Sequence, residues 1–228
     1  MNKELQELKN LLEELKTINK KQVPKKEVYS SSIKLINGVE YIALDELSKG
    51  QFVTTEKYIC TLNNGEKIFR EKIQKAKKDG SAVIVIPVTK KNEIVVTVEP
   101  RVFTEKTVGV GFPAGYIEDG EQPETSALRE LQEEVGVIPE KLIPLASFYQ
   151  DEGISAAKNT AFLAIGCTEG HDKNPDDGEY IKYFKCNFND VLNLQELGYI
   201  EGANSIIAIE KAKPYFTKNG KIKQKLIK

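Results

Sequence analysis

Residues 114–137 read AGYIEDGEQPETSALRELQEEVGV, with a proline, a glycine and several acidic or basic side chains at spacings typical of a single helix and its ends. Pro123 suits the first turn of a helix, where its missing N–H costs no hydrogen bond, and Gly136 suits the left-handed residue that follows a helix. Between them an apolar residue recurs at steps of three or four, at Leu128, Leu131 and Val135. The spacing predicts a helix over about 123–135 whose apolar stripe faces a sheet.

The other faces of this helix carry charged side chains, and Glu121 lies just before it; those on the helix are Arg129, Glu130, Glu133 and Glu134. Two carboxylates one helical turn apart, such as Glu130 and Glu134, repel each other unless a cation lies between them. Their oxygens suit Mg²⁺ or Mn²⁺, hard cations that also bind substrate phosphate. The alternative interpretation is a solvated face of an ordinary helix, since glutamate-rich runs are common.

The segments around this helix predict strands. SAVIVIPVT (81–89) and EIVVTVE (93–99) are β-branched runs separated by KKN, a pattern typical of a hairpin within a larger sheet. Further strands are expected near 142–149, near 160–167 and in YIKYFKCNF, before two helices over 190–197 and about 202–212. Strands on both sides of a central helix favour the α/β (α+β) class, with a mixed sheet covered on its faces.

We expect three regions along the chain: 1–56, 57–214 and a basic tail over 215–228, whose lysine-rich end KNGKIKQKLIK is expected to be solvated. The first region begins with leucines at helical spacing over 3–18, in a helix that either packs on its own domain or pairs with a second subunit. KKQVPKK then predicts a linker, and short apolar runs from about 29 to 72 predict a small antiparallel β arm.

Composition excludes several classes of protein. The chain has 228 residues, 33 basic against 34 acidic, for a net charge of −1, so nucleic acid is not the expected partner. A single histidine, His171, excludes zinc sites with two or three histidines. Three cysteines without a C-x-x-C pair argue against a disulfide framework. The charged N-terminus and the absence of a long apolar run predict a cytoplasmic protein with no membrane span.

The same stretch matches a known catalytic motif. It fits the Nudix box, G-x5-E-x7-R-E-U-x-E-E-x-G-U with U aliphatic, at Gly115, Glu121, Arg129, Glu130, Leu131, Glu133, Glu134, Gly136 and Val137. A chance match in a chain of this length is on the order of one in ten million. The chain therefore resembles a Nudix hydrolase. That resemblance implies an α/β/α sandwich and hydrolysis of a nucleoside diphosphate linked to another group, with Mg²⁺ (or Mn²⁺) as cofactor.

The resemblance also implies roles for the residues of the box. Glu130 and Glu134 become the principal metal ligands, with the carbonyl of Ala114 as a further ligand. Glu133 and Glu134 are assigned to catalysis, and Gly115 and Glu121 to the substrate-binding part of the motif. Arg129 and Gly136 are structural.

Beyond the box, residues 57–212 look most like the ADP-ribose pyrophosphatase branch. The hairpin ends in Arg101, which the resemblance places near the substrate. FPAGYIEDGE and GYIEGANSIIAIEKA resemble the branch's lead-in to the box and its C-terminal helix. In DDGEYIKYF the resemblance makes Asp177 the residue that orients or deprotonates water and Glu179 a metal ligand.

The chain departs from the branch in DEGISAAKN (151–159), where the family carries S-P-G-x-[ST]-x-E. Glu152 replaces the proline and Ala157 the acid, while Gly153 and Ser155 survive. Loss of that acid leaves the general base open among Asp177, Glu152 and Glu169.

The resemblance implies a homodimer that hydrolyses ADP-ribose or a related nucleoside diphosphate sugar to a nucleoside monophosphate and a sugar phosphate. In this branch the β arm is often exchanged between subunits. The alternatives are hydrolysis of another nucleotide, such as a dinucleoside polyphosphate, NADH or a nucleoside triphosphate, or a non-catalytic Nudix regulator that binds a ligand.

Overall fold

The computed structural model describes residues 33–36, 39–49, 52–75, 79–101, 104–105, 108–174, 181–223 and 225. The helix expected over 3–18 and the linker after it lie outside this part of the chain. The described residues form two compact units. One contains the residues up to Asp79 together with Gly153–Ser155, and the other contains Gly80–Glu152 together with the residues from Ala156 onward.

The first unit is a four-stranded antiparallel sheet, which confirms the predicted β arm. Its strands lie in chain order: β1 (Ile33–Ile36), β2 (Val39–Lys49), β3 (Val53–Thr61) and β4 (Lys67–Lys75). The turn between β3 and β4 uses Gly65 at φ +83°, a conformation that glycine adopts without strain. The boundary that the sequence suggested, between 56 and 57, falls within β3. Because β3 pairs with β4 along its whole length, the arm continues to Asp79.

The second unit is built on a mixed sheet, as predicted. Its strands are β5 (Ala82–Thr89), β6 (Ile94–Pro100), β7 (Val108–Gly111), β8 (Ala114–Tyr116), β9 (Lys141–Tyr149), β10 (Lys158–Cys167) and β11 (Lys182–Cys186). They run in the order β11-β6-β5-β10-β9, with β7 on β6 and β8 on β5. β10 is parallel to β5, and the remaining pairs are antiparallel.

Helices cover both faces of this sheet and complete the predicted α/β/α sandwich. They are α1 (Pro123–Val135), α2 (Phe188–Glu196) and α3 (Ala203–Ala212), followed by a 3₁₀ turn over Lys213–Tyr215. Alternate residues of β5 point to opposite faces. Ile84 and Ile86 pack in one core with α2 and α3, while Val83 and Val85 pack in the other with α1. None of the helices that the structure describes has the length and apolar character needed to cross a bilayer.

Two short strands within VGVGFPAG, β7 and β8, were not predicted. Glycine has a low β propensity, and strands of four and three residues give little periodicity. β5 and β6 are paired through Val88 and Ile94 near their turn. β8 instead pairs with the first residues of β5 and places Gly115 opposite Val83. This pairing places Gly115, the first residue of the Nudix box, on the sheet next to helix α1.

The apolar stripe of α1 differs from the prediction by one residue. Leu128, which was expected to face the sheet, is 44% exposed, whereas Ala127 is fully buried together with Leu131. Residues 127, 131 and 135 are four apart and share one helical face, so the small Ala127 takes the buried position.

The lysine-rich end of the C-terminal tail, residues 218–228, was expected to be solvated, and for Ile222 this is wrong. Phe216 lies just before that end. Both are buried, and the ring of Phe216 stacks on that of Phe188 with centroids 3.8 Å apart. The backbone N–H of Ile222 donates to Asn92 Oδ1 over 3.1 Å. Ile222 lies between two lysines and Phe216 between Tyr215 and Thr217, so neither belongs to a periodic apolar pattern.

The three cysteines are free thiols, which agrees with the absence of a predicted disulfide. Cys60 and Cys167 are buried, and burial raises the pKa of Cys167 to about 12. Such thiols are unreactive at neutral pH.

Candidate active site

Helix α1 begins and ends where the sequence predicted. Pro123 occupies its first turn, and Gly136 follows it in the left-handed conformation, with φ 66° and ψ 38°. The amides of Gly136 and Val137 donate back to carbonyls of the last turn, over 2.9 and 3.2 Å. A side chain at Gly136 would also approach the His171 carbonyl oxygen to 2.5 Å. The end of α1 is therefore fixed, and the orientation of its acidic side chains follows from it.

Glu130 and Glu134 are buried, with only 8% and 6% of their surface exposed. A solvated helix face would leave both carboxylates in water, so the alternative interpretation offered by the sequence does not describe them. Burying ionised carboxylates is costly unless they are paired or bind a cation. The two buried carboxylates on this face of α1 therefore require a paired group or a bound cation.

The carboxylate of Glu130 lies directly against the backbone of Gly115. A Cβ placed on Gly115 would overlap both carboxylate oxygens of Glu130. The first glycine of the motif is therefore required for close approach between β8 and α1.

Arg129 connects the acids of the motif. Its Nη1 donates to Glu130 over 2.7 Å and to Glu133 over 2.9 Å. Its Nε and Nη2 donate to the two oxygens of Glu121 over 3.0 and 3.1 Å, and Nη2 also donates to the Tyr116 carbonyl. A guanidinium presents its donors in a fixed fork. Arg129 therefore holds three carboxylates in one arrangement, in keeping with its predicted structural role.

Glu121 is held entirely by protein groups among the contacts described. Besides Arg129, its Oε2 accepts from the Ser126 hydroxyl and from the Glu118 amide. The hydrogen bonds from Arg129 are the main reason that the pKa of Glu121 falls to about 2, and those from Ser126 and Glu118 add to the effect. This bonding suits a residue that organises the site, and a direct contact of Glu121 with substrate stays a prediction.

The depressed pKa of Glu121 predicts acid sensitivity. The group is ionised in the folded protein down to about pH 2 but has an ordinary pKa near 4.5 when unfolded. Its stabilising contribution is thus complete above the unfolded value and is lost as pH falls from about 5 toward 2. Urea unfolding at a series of pH values should give a shallower pH dependence for Glu121→Gln than for the unaltered chain. The same slope for both proteins would contradict this account.

The oxygen donors at this face fit a hard divalent cation in chemistry. Glu130 and Glu134 offer buried carboxylates, and Gly115 leaves the space that the carboxylate of Glu130 occupies. Among the described residues no three acidic, histidine or cysteine side chains converge to hold a metal. Mg²⁺ binds through one or two carboxylates and takes its other ligands from water and substrate phosphate, so two carboxylates suit it. The third predicted acid, Glu179, lies with Asp177 outside the described residues.

Other predicted site residues have described contacts with residues outside this network. The Arg101 guanidinium forms an ion pair with Glu99 at 2.5 Å, and its stem lies against Gly109, where a Cβ would meet Arg101 Cγ at 2.6 Å. Of the candidate bases, Glu169 is bound by Lys185 through both oxygens at 2.9 Å, and Glu152 is exposed.

One residue that belongs to the network was missed in the sequence. Ser126 is fully buried in α1 and its hydroxyl donates to Glu121. The signal available was weak: a serine five residues after the first acid of the motif, at a position that the motif leaves unspecified.

Comparison with known proteins shows the family to which the chain belongs. The NUDIX domain profile matches residues 78–208, more than half of the chain. The "ADP-ribose pyrophosphatase" of Bacillus subtilis (strain 168) is 31% identical over 170 residues, covering 74% of this chain and 89% of that protein. The "Methanol dehydrogenase activator" of Bacillus methanolicus is 28% identical over the same coverage. A crystal structure titled "ADP compounds hydrolase" has a TM-score of 0.68 at 21% identity, covering 87% of this chain and 100% of that one, and supports the fold. The chain belongs to the Nudix hydrolase family.

Proposed function

We propose that this Nudix hydrolase cleaves the pyrophosphate bond of ADP-ribose or a related nucleoside diphosphate sugar, with Mg²⁺ (or Mn²⁺) as cofactor. The products are a nucleoside monophosphate and a sugar phosphate. The observation that carries the proposal is the pair of buried carboxylates, Glu130 and Glu134, one turn apart on α1 beside Gly115. The relative named ADP-ribose pyrophosphatase supports the choice of substrate class.

Each residue of the network has a definite part in this reaction. Glu130 and Glu134, with the Ala114 carbonyl, would hold the cation. A divalent cation polarises phosphoryl oxygens, offsets the charge of the leaving phosphate and lowers the pKa of bound water. Arg129 holds Glu130 and Glu133 in place while neutralising part of their charge. Because phosphoryl transfer depends mainly on positioning and electrostatics, this pre-arranged set of carboxylates is the protein's main contribution.

The base that activates water is proposed to be Asp177, with Glu179 as a further metal ligand. The amide of Asn174 donates to the Glu133 carbonyl oxygen over 3.1 Å, at the last turn of α1. Asp177 follows Asn174 by three residues in the sequence. Glu169, tied to Lys185, is less suited to the role, and Glu133 is engaged by Arg129.

A substrate panel tests the proposal. We expect turnover of ADP-ribose with Mg²⁺, followed as release of its nucleoside monophosphate, to exceed turnover of UDP-sugars, NADH, diadenosine polyphosphates and nucleoside triphosphates. A preference for ADP-ribose means that DEGISAAKN is compatible with that substrate. Turnover of a different nucleotide alone would reject ADP-ribose while leaving the hydrolase chemistry intact. Binding without any turnover would favour a regulatory role, which the name of the Bacillus methanolicus relative suggests for that protein.

We also propose that the chain acts as a homodimer through its β arm. The arm exposes large apolar side chains, with Phe52 at 69% and Phe69 at 61%, and exposed apolar clusters favour association. Light scattering should give twice the mass of one chain, and a monomer would contradict this.

A further inference from the structure

We propose that Ser126 is a positioning residue of the active site: its buried hydroxyl fixes Glu121, and through Glu121 and Arg129 it fixes the carboxylates that hold the cation. This inference rests on the proposed function for its catalytic readout.

The position of the Ser126 hydroxyl is fixed by helix α1. The residue is fully buried in the first turns of α1, and its own backbone amide is bound to the Gln122 carbonyl at 3.1 Å. A short side chain on a rigid helix has little freedom. The hydroxyl is therefore a hydrogen-bond donor at a fixed position, and it holds the Glu121 carboxylate in place.

The hydroxyl donates to the oxygen of Glu121 that carries the most hydrogen bonds. Oε2 accepts from Ser126, from the Glu118 amide at 3.1 Å and from Arg129 Nη2 at 3.1 Å, whereas Oε1 accepts from Arg129 Nε at 3.0 Å. Arg129 alone would leave Glu121 free to swing with the guanidinium. The Ser126 hydroxyl and the Glu118 amide hold the Glu121 carboxylate in place. The carboxylate in turn fixes the position of the Arg129 guanidinium.

A change in the position of Glu121 also affects the acids bound to the other side of the Arg129 guanidinium. Its Nη1 binds Glu130 at 2.7 Å and Glu133 at 2.9 Å. If Glu121 shifts, the planar guanidinium turns as one body and withdraws from Glu130. The effect of Ser126 is thus transmitted through two side chains to an acid assigned to the cation, and Ser126 itself need not touch substrate.

Ser126→Ala is the variant of choice because alanine favours helix formation and leaves no new bulk in the core. We expect kcat for ADP-ribose to fall between about three- and tenfold, the effect of losing one hydrogen bond to a charged group at one remove from the chemistry. KM should stay within about twofold, since the contact positions catalytic groups. Ser205→Ala is the matched control: it removes another buried serine hydroxyl, on α3, and should leave kcat unchanged.

A double-mutant cycle separates positioning from a purely structural effect. If Ser126 acts through Glu121, Ser126→Ala in a Glu121→Gln background should change kcat by less than about twofold, because coupled residues are not additive. An equal loss of kcat in both backgrounds, or an equal loss for Ser205→Ala, would overturn the inference.

A second readout does not depend on turnover. Mn²⁺ affinity can be measured for the unaltered chain, the three single variants and the double variant from the electron paramagnetic resonance signal of free Mn²⁺. We expect the affinity to fall about three- to tenfold for Ser126→Ala and to stay unchanged for Ser205→Ala. If the unaltered chain hydrolyses no nucleotide, the proposed function fails and this binding series still decides the role of Ser126. Equal Mn²⁺ affinity in the unaltered chain and Ser126→Ala would reject the inference whatever the substrate.

Discussion

Replacing Glu134 with glutamine is expected to lower kcat for ADP-ribose by at least about 10²-fold, the range seen when one group that stabilises transition-state charge is removed. Glutamine preserves the size and shape of the side chain but carries no charge. Glu134 is buried at 6% exposure on the face of α1 that carries Glu130, so its loss halves the negative charge available to a cation there. Steady-state AMP release, with Mg²⁺ varied, is the measurement.

The matched control is Glu124→Gln, which removes the charge of an exposed glutamate from the first turn of the same helix. It should leave kcat within about twofold, because an exposed charge is largely screened by water and salt. A correctly folded Glu134→Gln protein with full metal-dependent turnover would contradict the assignment of this acid.

Replacing Arg129 with methionine is expected to lower the free energy of unfolding by about 2–4 kcal/mol, the cost of leaving partly buried charges without their partner. Methionine keeps much of the apolar volume but removes the cation that Glu121, Glu130 and Glu133 share. The hydrogen bonds from Arg129 are also the main reason for the low pKa of Glu121. Urea unfolding at pH 7 measures the loss.

Lys213→Met provides the comparison for Arg129→Met. Lys213 pairs with Glu210 on the surface, where both side chains are over two-fifths exposed, and an exposed ion pair contributes under about 1 kcal/mol. Equal destabilisation by the two substitutions would mean that the Arg129 network is no more than another surface ion pair.

The catalytic helix could be predicted from sequence almost completely because independent signals coincide there. Pro123 and Gly136 mark its ends through backbone preferences that need no tertiary context. The identity of its acids follows from a motif whose spacing matches the helical period. The burial of Glu130 could not be predicted in the same way, since it depends on Gly115 meeting the helix from β8.

The features missed were those decided by tertiary packing. β7 and β8 form because β5 and β6 separate and leave backbone groups to be paired. Phe216 is buried because Phe188 offers it a stacking partner 28 residues earlier in the chain. Neither the strand pairing nor the aromatic stacking can be read from the local sequence, and such tertiary contacts override the intrinsic β propensity of a segment.

Product analysis shows whether the carboxylate face of α1 supports metal-dependent cleavage of a pyrophosphate bond. Purified chain would be incubated with ADP-ribose and Mg²⁺, with and without EDTA, and the products quantified by phosphorus NMR. We expect AMP and ribose 5-phosphate in equal amounts, with loss of both in EDTA and recovery when excess Mg²⁺ is added. Undiminished turnover in EDTA, or an intact substrate at high enzyme concentration, would contradict this expectation.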